Sequence, residues 1–493
     1  MNQDRPWAGR RLHFVGIGGA GMSGLAVVSS ALGASVSGSD RAESPYLERV
    51  REVGISPVVG HSAANVPDDA EPDGAVAGPV EIVVSTAISE ENPELVEGRS
   101  RGLRELHRGE LLGEVSALRR CIAVTGTHGK STTSAMVVRI LREAGLDPSY
   151  LVGASLTETG TNAEWGGGDW VVVEADESDR SLLHLHPEIA VVTNLELDHH
   201  STYSSRLDLE ATMREFLAGA GRAVVLDEPS LRALRDGPVV AFGVSDVSLD
   251  ALGSRFVWRM GIADGSRRVS TTGIEGEPGG GGGVTGIEGG LGTGIEGESG
   301  VAGVSVRLPV PGLHNALNAA AALSAAALAG VDPVVGAAGL AGFRPAGRRF
   351  ERVGETSSGA VVVDDYAHHP TEVAATLAAA RTLGPARLVA VFQPHLYSRT
   401  AALWREFGAA LAGADLAVVL EIYRAREDPA DWPGISGRLV AAAAADASAG
   451  GPVAWLPGQP EAEAFLRTQL RPGDLLVTLG AGDVDALAHR LVA

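Results

Sequence analysis

Twice along this chain an apolar, strand-like run breaks into glycines and then turns helix-like. Arg11-Leu-His-Phe-Val15 enters Gly16-Ile-Gly18-Gly19-Ala-Gly21 and an uncharged stretch to Leu32; Arg120-Cys-Ile-Ala-Val-Thr125 enters Gly126-Thr127-His128-Gly129-Lys130 and a helix-like stretch over 134–141. A strand that leaves through a glycine turn into a helix is half of a crossover unit, and crossovers build parallel sheets covered by helices. Other strand-like runs fit the same plan: 36–40, 81–85, 170–174, 189–193, 360–363, 388–392, 416–420 and 475–479. The fold class expected is α/β in three domains, residues 1–117, 118–341 and 342–493. A length of 493 residues agrees with that, at about 150 residues per domain.

Residues 271–303 break the plan. They collapse into Gly, Glu, Ile and Thr, with Thr-Gly-Ile-Glu-Gly starting at Thr272, Thr285 and Thr293. Irregular spacing excludes a solenoid, and the composition offers too little apolar area to order itself. We expect an insertion without catalytic role, set between strand-like 256–259 and 304–307.

Composition removes several function classes. The net charge of −21 argues against a protein that holds nucleic acid by bulk electrostatics. Cys121 is the sole cysteine, so no intrachain disulfide or cysteine-cluster metal site can form, and a reducing cytoplasm fits best. No charged leader precedes an apolar run at the start. The uncharged stretch 15–39 is long enough to suggest a span, but its glycines and serines favour a strand-turn-helix. Of the 40 basic residues one is a lysine, Lys130. Arginine replaces lysine wherever a solvated positive charge suffices, so a lone lysine points to a site that needs a compact ammonium.

The motifs say where that site lies. Gly16, Gly18 and Gly21 form G-x-G-x-x-G between strand and helix, which lets backbone N–H groups approach a diphosphate; Asp40 follows at a spacing suited to a ribose hydroxyl. Alone, this motif suggests NAD. Gly126 to Thr132 is a shortened phosphate loop: an anion nest with Lys130 for the β/γ-phosphates and the Ser131 hydroxyl for Mg²⁺. Glu174-Ala-Asp-Glu-Ser-Asp179 and Asn194-Leu-Glu-Leu-Asp198-His199-His200 follow apolar strands and bring carboxylates and imidazoles to the same edge. His314, Asn315 and Asn318 share one helix face and suit either a purine or a plain cap. Asp364-Asp365-Tyr366-Ala-His368-His369 and Gln393-Pro-His395-Leu-Tyr397-Ser-Arg399 leave strands of the third block, and His and Arg there suit recognition of a carboxylate.

Taken in order, GIGGAGMSG, GTHGKSTT, EADESD, TNLELDHH, PGLHNALNAAAA, GRRFE, DDYAHHPTE, QPHLYSRT and GAGD make the chain resemble the Mur ligases of bacterial cell-wall synthesis, over nearly its whole length apart from the insertion. The resemblance implies a Rossmann-like first domain holding a UDP-sugar at Gly16, Gly18, Gly19, Gly21 and Asp40, a central P-loop-type ATPase domain, and a Rossmann-like third domain closing over it. The implied reaction joins the lactyl carboxylate of UDP-N-acetylmuramate to L-alanine through an acyl phosphate, with ATP giving ADP and phosphate. Lys130, Glu174, His199 and His368 are then the catalytic set, His368 being one candidate base. Ser131, Glu174 and His199 surround Mg²⁺. The loop Gly126, Thr127, His128, Gly129, Lys130, Ser131, Thr132, with His314, Asn315, Asn318, Arg349 and Asp365, binds ATP; Tyr366, His368, His395 and Arg399 surround the amino acid.

Three departures stand out. Leu396 sits where many relatives carry Arg, leaving Arg399 as the main carboxylate partner. Ser201 replaces a usual Asp. No second lysine exists, so the carbamylated lysine of sister ligases is impossible here. Rival readings are a ligase attaching a recycled tripeptide to the same nucleotide, an NAD-dependent oxidoreductase supported by 16–40 alone, and a nucleotide-binding regulator. A cytoplasmic monomer or weak homodimer is expected, with no nucleic-acid or membrane partner.

Overall fold

A computed structural model of the chain describes residues 5–68, 78–198, 202–250, 253–264, 303–425 and 427–493. His199, and the insertion up to residue 302, lie outside the described residues.

Among those described, the strands form three sheets. The first contains β1 (Arg11–Val15), β2 (Ser35–Asp40), β3 (Val58–Val59), β4 (Val80–Val84) and β5 (Arg104–His107), all parallel, in the order β3-β2-β1-β4-β5. The second contains β6 (Arg120–Thr125), β7 (Ser149–Leu156), β8 (Thr161–Glu164), β9 (Trp170–Glu174), β10 (Ile189–Val192), β11 (Arg222–Leu226), β12 (Pro238–Asp250), β13 (Gly253–Asp264) and β14 (Val304–Leu308). Its order is β14-β13-β12-β11-β10-β6-β9-β7-β8, a parallel core with β13, β14 and β8 pairing antiparallel at the margins. The third contains β15 (Glu351–Glu355), β16 (Val361–Asp365), β17 (Arg387–Phe392), β18 (Leu416–Val419), β19 (Val453–Trp455) and β20 (Asp474–Leu479), in the order β15-β16-β20-β17-β18-β19, with β15 the antiparallel edge.

Every strand-like run named from the sequence lies in a strand, with bounds matching to within two residues except at 256–259, where the strand runs from Gly253 to Asp264. The arm β12–β14 is longer than expected. The outer half of β12 carries half-exposed and exposed residues, so no apolar run announces it; pairing with β13 holds it in place.

Topology places the functional loops. Chain order reverses beside β1 in the first sheet, β6 in the second and β20 in the third, and at such points neighbouring loops part and leave a crevice beyond the strand ends. Packing then narrows the second crevice. The helix Leu313–Leu328 buries Ala316, Ala319, Ala320, Ala322 and Ala326, side chains too small to hold it away from the helix Lys130–Glu143 that it packs on. Its second turn therefore reaches the phosphate loop, with Asn318 beside Gly129. Cys121 is buried in β6, and burial pushes its thiol up to about 12, which leaves it unreactive. Among the described residues no helix is long and apolar enough to cross a membrane.

Candidate active site

The glycine loop leaves β1 for the helix Ala20–Ala31. Its turn is fixed by Gly16 N–H and Ile17 N–H, which donate to Ser39 O at 2.8 and 2.9 Å, and by Gly16 at φ +83°. Asp40 Oδ2 accepts from Gly18 N–H at 2.8 Å, so in this structure one oxygen of the expected ribose partner braces the loop itself. A Cβ on Gly18 would stand 3.0 Å from that oxygen. Gly19 is the residue before the helix, and Gly21 lies in its first turn.

The phosphate loop joins β6 to the helix Lys130–Glu143, which begins before the expected residue 134. Ser131, Thr132 and Thr133 are modest helix formers, but all three are buried, and tertiary packing overrides propensity. Gly126 and Gly129 adopt φ +128° and +81°; a Cβ on them would lie 2.2 Å from Thr193 Oγ1 and 2.3 Å from Asn318 Oδ1. The segment after β10 buttresses the loop: His128 N–H donates to Asn194 Oδ1 at 2.9 Å, and Thr193 Oγ1 and Asn194 Nδ2 donate to His128 O at 2.6 and 2.9 Å. Thr127 Oγ1 donates to Glu196 O at 2.9 Å.

Lys130 Nζ donates to Gly126 O at 2.8 Å, Thr127 O at 3.2 Å and Glu177 Oε1 at 2.8 Å. Burial alone would lower its pKa, but the charges of Glu177 and Asp176 outweigh burial and push it up to about 12. The ammonium is therefore permanent at any physiological pH.

Parallel register sets Glu174 opposite Val124, so its carboxylate emerges from β9 beside the phosphate loop; Oε2 accepts from Gly153 N–H at 2.7 Å. Burial would raise Asp176, yet Lys130 and Arg108 hold it at about 2. The Ser131 hydroxyl and these carboxylates are all hard oxygen donors. That donor set fits Mg²⁺ rather than a softer ion.

A second cluster brings ligand-type atoms of His128, Glu196 and His369 within 4.8 Å of one another. Ion pairing explains it. His128 Nε2 meets Glu196 Oε2 at 3.3 Å and its Nδ1 meets Glu372 Oε1 at 3.2 Å. Burial would lower the imidazole pKa, but these two carboxylates raise it to about 9. A protonated His128 thus pins the helix Pro370–Arg381 of the third domain to the phosphate loop, helped by Thr371 Oγ1 donating to Glu196 Oε2 at 2.6 Å.

Beside that clasp lies a cavity of about 220 Å³ shared between two domains: His128, Gly129, Thr132, His314, Asn315 and Asn318 line one side, Arg349, Asp365 and Glu372 the other. Most of the residues expected to bind ATP meet here. Burial lowers His314 to about 4, so its ring is neutral. Asn315 Nδ2 donates to Pro311 O at 2.8 Å, but the helix cap is Gly312 and no side chain caps it, so the plain-cap reading is not met at that position. Asp365 accepts from Phe350 N–H and Ala367 N–H, each at 2.8 Å, while burial raises it to about 6. Arg349 lies over the Tyr366 ring at 5.0 Å.

The third-domain loops converge as their strands do. The Tyr366 and His368 rings are 5.3 Å apart, and His368 and His395 6.1 Å. His368 Nδ1 lies 3.0 Å from Tyr366 O, which can only accept, so Nδ1 carries the hydrogen and Nε2 the lone pair. Burial pushes this ring down to about 3, which makes it a neutral hydrogen-bonding group and a poor keeper of protons. Arg399 is engaged elsewhere than expected. Its Nε and Nη2 donate to Asp198 Oδ1 and Oδ2 at 3.1 and 3.0 Å, both side chains 5% exposed, making a buried bidentate bridge between central and third domains.

Sequence reasoning missed Glu177, Glu196, Asp198, Glu372, Arg108 and Tyr46. The first three stand inside acidic strings already singled out, and Glu372 occupies the third position of a capping box begun by His369, a readable signal. Arg108 and Tyr46 carry none. The Tyr46 hydroxyl is pushed up by burial, with Tyr366 and Glu174 adding.

Comparison with known proteins adds an independent line. Sequence models of three Mur ligase parts match in order: "Mur ligase family, catalytic domain" over 11–120, "Mur ligase middle domain" over 124–326 and "Mur ligase, glutamate ligase domain" over 348–482. UDP-N-acetylmuramate–L-alanine ligase of Mycobacterium sp. (strain JLS) is 44% identical, covering 98% of this chain and 95% of that protein. The enzyme of that name from Rubrobacter xylanophilus is 41% identical, covering 98% and 99%. Among solved structures, UDP-N-acetylmuramate-alanine ligase from Thermotoga maritima superposes with a TM-score of 0.74 at 25% identity, covering 98% of both chains. A murein peptide ligase from Psychrobacter arcticus shares the fold, with a TM-score of 0.64 at 22% identity and 98% of both chains covered.

Proposed function

The chain belongs to the Mur ligase family, and from that premise we propose how its residues join L-alanine to UDP-N-acetylmuramate at the expense of ATP. The observation that carries the reading is a lone, permanently charged lysine inside a phosphate loop, flanked by a two-domain cavity on one side and a glycine-loop cleft on the other.

ATP lies with its base near His314, Asn315 and Asn318 and its phosphates on the amides of Gly126 to Thr132. Lys130 shifts from Glu177 toward the β/γ-phosphates, exchanging one anionic partner for another. The lactyl carboxylate attacks the γ-phosphorus and ADP leaves, giving an acyl phosphate. The neutral amine of alanine then adds to the acyl carbon; phosphate departs and takes up the amine proton, leaving the amide. Tyr366, His368 and His395 hold and orient the amine, His368 through its Nε2 lone pair. His368 serves as orienter rather than base, because burial disfavours its cation. Ser131 and Glu174, with His199, would hold Mg²⁺, which offsets repulsion between an anionic nucleophile and the triphosphate. Asp198 takes the guanidinium of Arg399, so the bridge fixes domain closure first and the amino-acid carboxylate meets what remains of that cation.

Phosphate release with purified protein tests the reading. It should require UDP-N-acetylmuramate, L-alanine, ATP and Mg²⁺ together, and release without the sugar nucleotide or the amino acid would refute it.

A further inference from the structure

Arg108 opens the helix Arg108–Ser116 and reaches into the cleft between the glycine loop and the central sheet. Its Nε donates to Asp179 Oδ2 at 3.0 Å, and Nη2 donates to Asp176 Oδ2 at 2.9 Å and Asp179 Oδ2 at 2.6 Å. Two of the three nitrogens are thereby fixed, which sets the plane of the guanidinium. The third, Nη1, stands 3.2 Å from where a Cβ on Gly21 would project, on the open side of the first helical turn after the glycine loop.

The charges along this cleft are uneven. It measures about 190 Å³, and Glu174 and Asp176 line its central-domain wall, while Arg108 is the one cation among its lining residues. A sugar nucleotide whose diphosphate sits on the glycine-loop amides must send its acidic end toward Glu174 to meet ATP. Without a cation, that carboxylate would approach two others in a partly dry cleft, where like charges repel strongly. The diphosphate already has backbone donors and a helix N-terminus. Among the residues that line the cleft, the acid has only Arg108 as a cationic side-chain partner.

We propose that Arg108 Nη1 forms a carboxylate subsite that receives the lactyl carboxylate of the sugar nucleotide and delivers it past Glu174, with Asp176 and Asp179 as the clamps that aim it. This rests on the reading given under Proposed function. The subsite discriminates between sugar nucleotides with and without an acidic ether on the sugar.

Calorimetric titration of the full-length protein with UDP-N-acetylmuramate and with UDP-N-acetylglucosamine, which lacks the lactyl group, separates the possibilities. Arg108→Met should weaken the first by about 10- to 100-fold, the range for one charge-assisted hydrogen bond, and the second by no more than about twofold. Arg108→Lys keeps a charge for the two aspartates but cannot serve both sides, so it should show the same selective loss; it decides the matter if Arg108→Met melts far below the parent protein. Equal losses for both ligands would assign Arg108 to the diphosphate and overturn the proposal, as would unchanged binding. Phosphate release by the unmodified protein is measured first. If that fails, the ligase reading falls and takes the subsite with it; if it succeeds and the losses are equal, the subsite alone falls.

Discussion

Removing the ammonium of Lys130 should separate two roles that one side chain plays. The Lys130 and Glu177 side chains are 15% and 2% exposed, joined at 2.8 Å, with Asp176 also drawn toward the same charge. Lys130→Met leaves carboxylates buried against one another. Breaking such a pair costs about 3–5 kcal/mol, and the partial exposure of the lysine favours the lower end, roughly 3 kcal/mol. Turnover should fall further than stability explains, by about 10²–10³-fold, the usual loss when one preorganised group facing transition-state charge is removed. The double variant Lys130→Met/Glu177→Gln removes the stranded charge as well. It should recover most of the stability in urea denaturation yet leave phosphate release as low as in the single variant. Lys130→Arg, which retains charge in a planar and bulkier form, should also lose most of its kcat. Were the double variant to regain turnover along with stability, or Lys130→Met to stay within about threefold of the parent kcat, the lysine would be a structural counterion and the reasoning would fail.

Other consequences are open to measurement. His128 has a folded pKa of about 9 against about 6.5 unfolded, so its clasp should be complete below about 6.5 and lost as pH rises through about 9; His128→Gln should flatten the dependence of thermal stability on pH across that window. Gly126→Ala should fold but bind ATP poorly, because φ +128° and a Cβ 2.2 Å from Thr193 Oγ1 deform the loop; unchanged ATP affinity would show that the loop tolerates a side chain. Asp198→Asn should destabilise the closed arrangement by about 3 kcal/mol and raise hydrogen exchange in the loops around Arg399, since it strands a buried guanidinium. Excising 272–300 should leave kcat nearly unchanged, as β13 and β14 are paired on either side of the insertion from Ser254 opposite Leu308 to Trp258 opposite Val304; a large loss would give the insertion a function.

Much of this protein could be read along the chain because its signals are local. A buried parallel strand is a short apolar run whatever lies beside it, and glycines at φ +81° and +128°, where a Cβ would also strike a neighbour, resist any other residue. Thus β1, β6, β9, β10, β16 and β17 were legible, and with them Gly16 to Gly21, Gly126 to Thr132, Glu174, His314 to Asn318 and Tyr366 to Arg399. A lone lysine added what spacing could not, since only chemistry explains an ammonium kept among arginines.

Partnership was not legible. Nothing local says that Lys130 faces Glu177 rather than Glu174, that His128 is charged because Glu196 and Glu372 arrive from two different domains, or that Arg399 spends its fork on Asp198, 201 residues away in sequence. Protonation follows burial and neighbours, so His128 at about 9 and His368 at about 3 are the same residue type driven to opposite states by packing alone. Sequence determined which groups stand at the strand ends; the folding of three sheets against one another decided which charge meets which, because electrostatic pairing depends on distance through space and not on position along the chain.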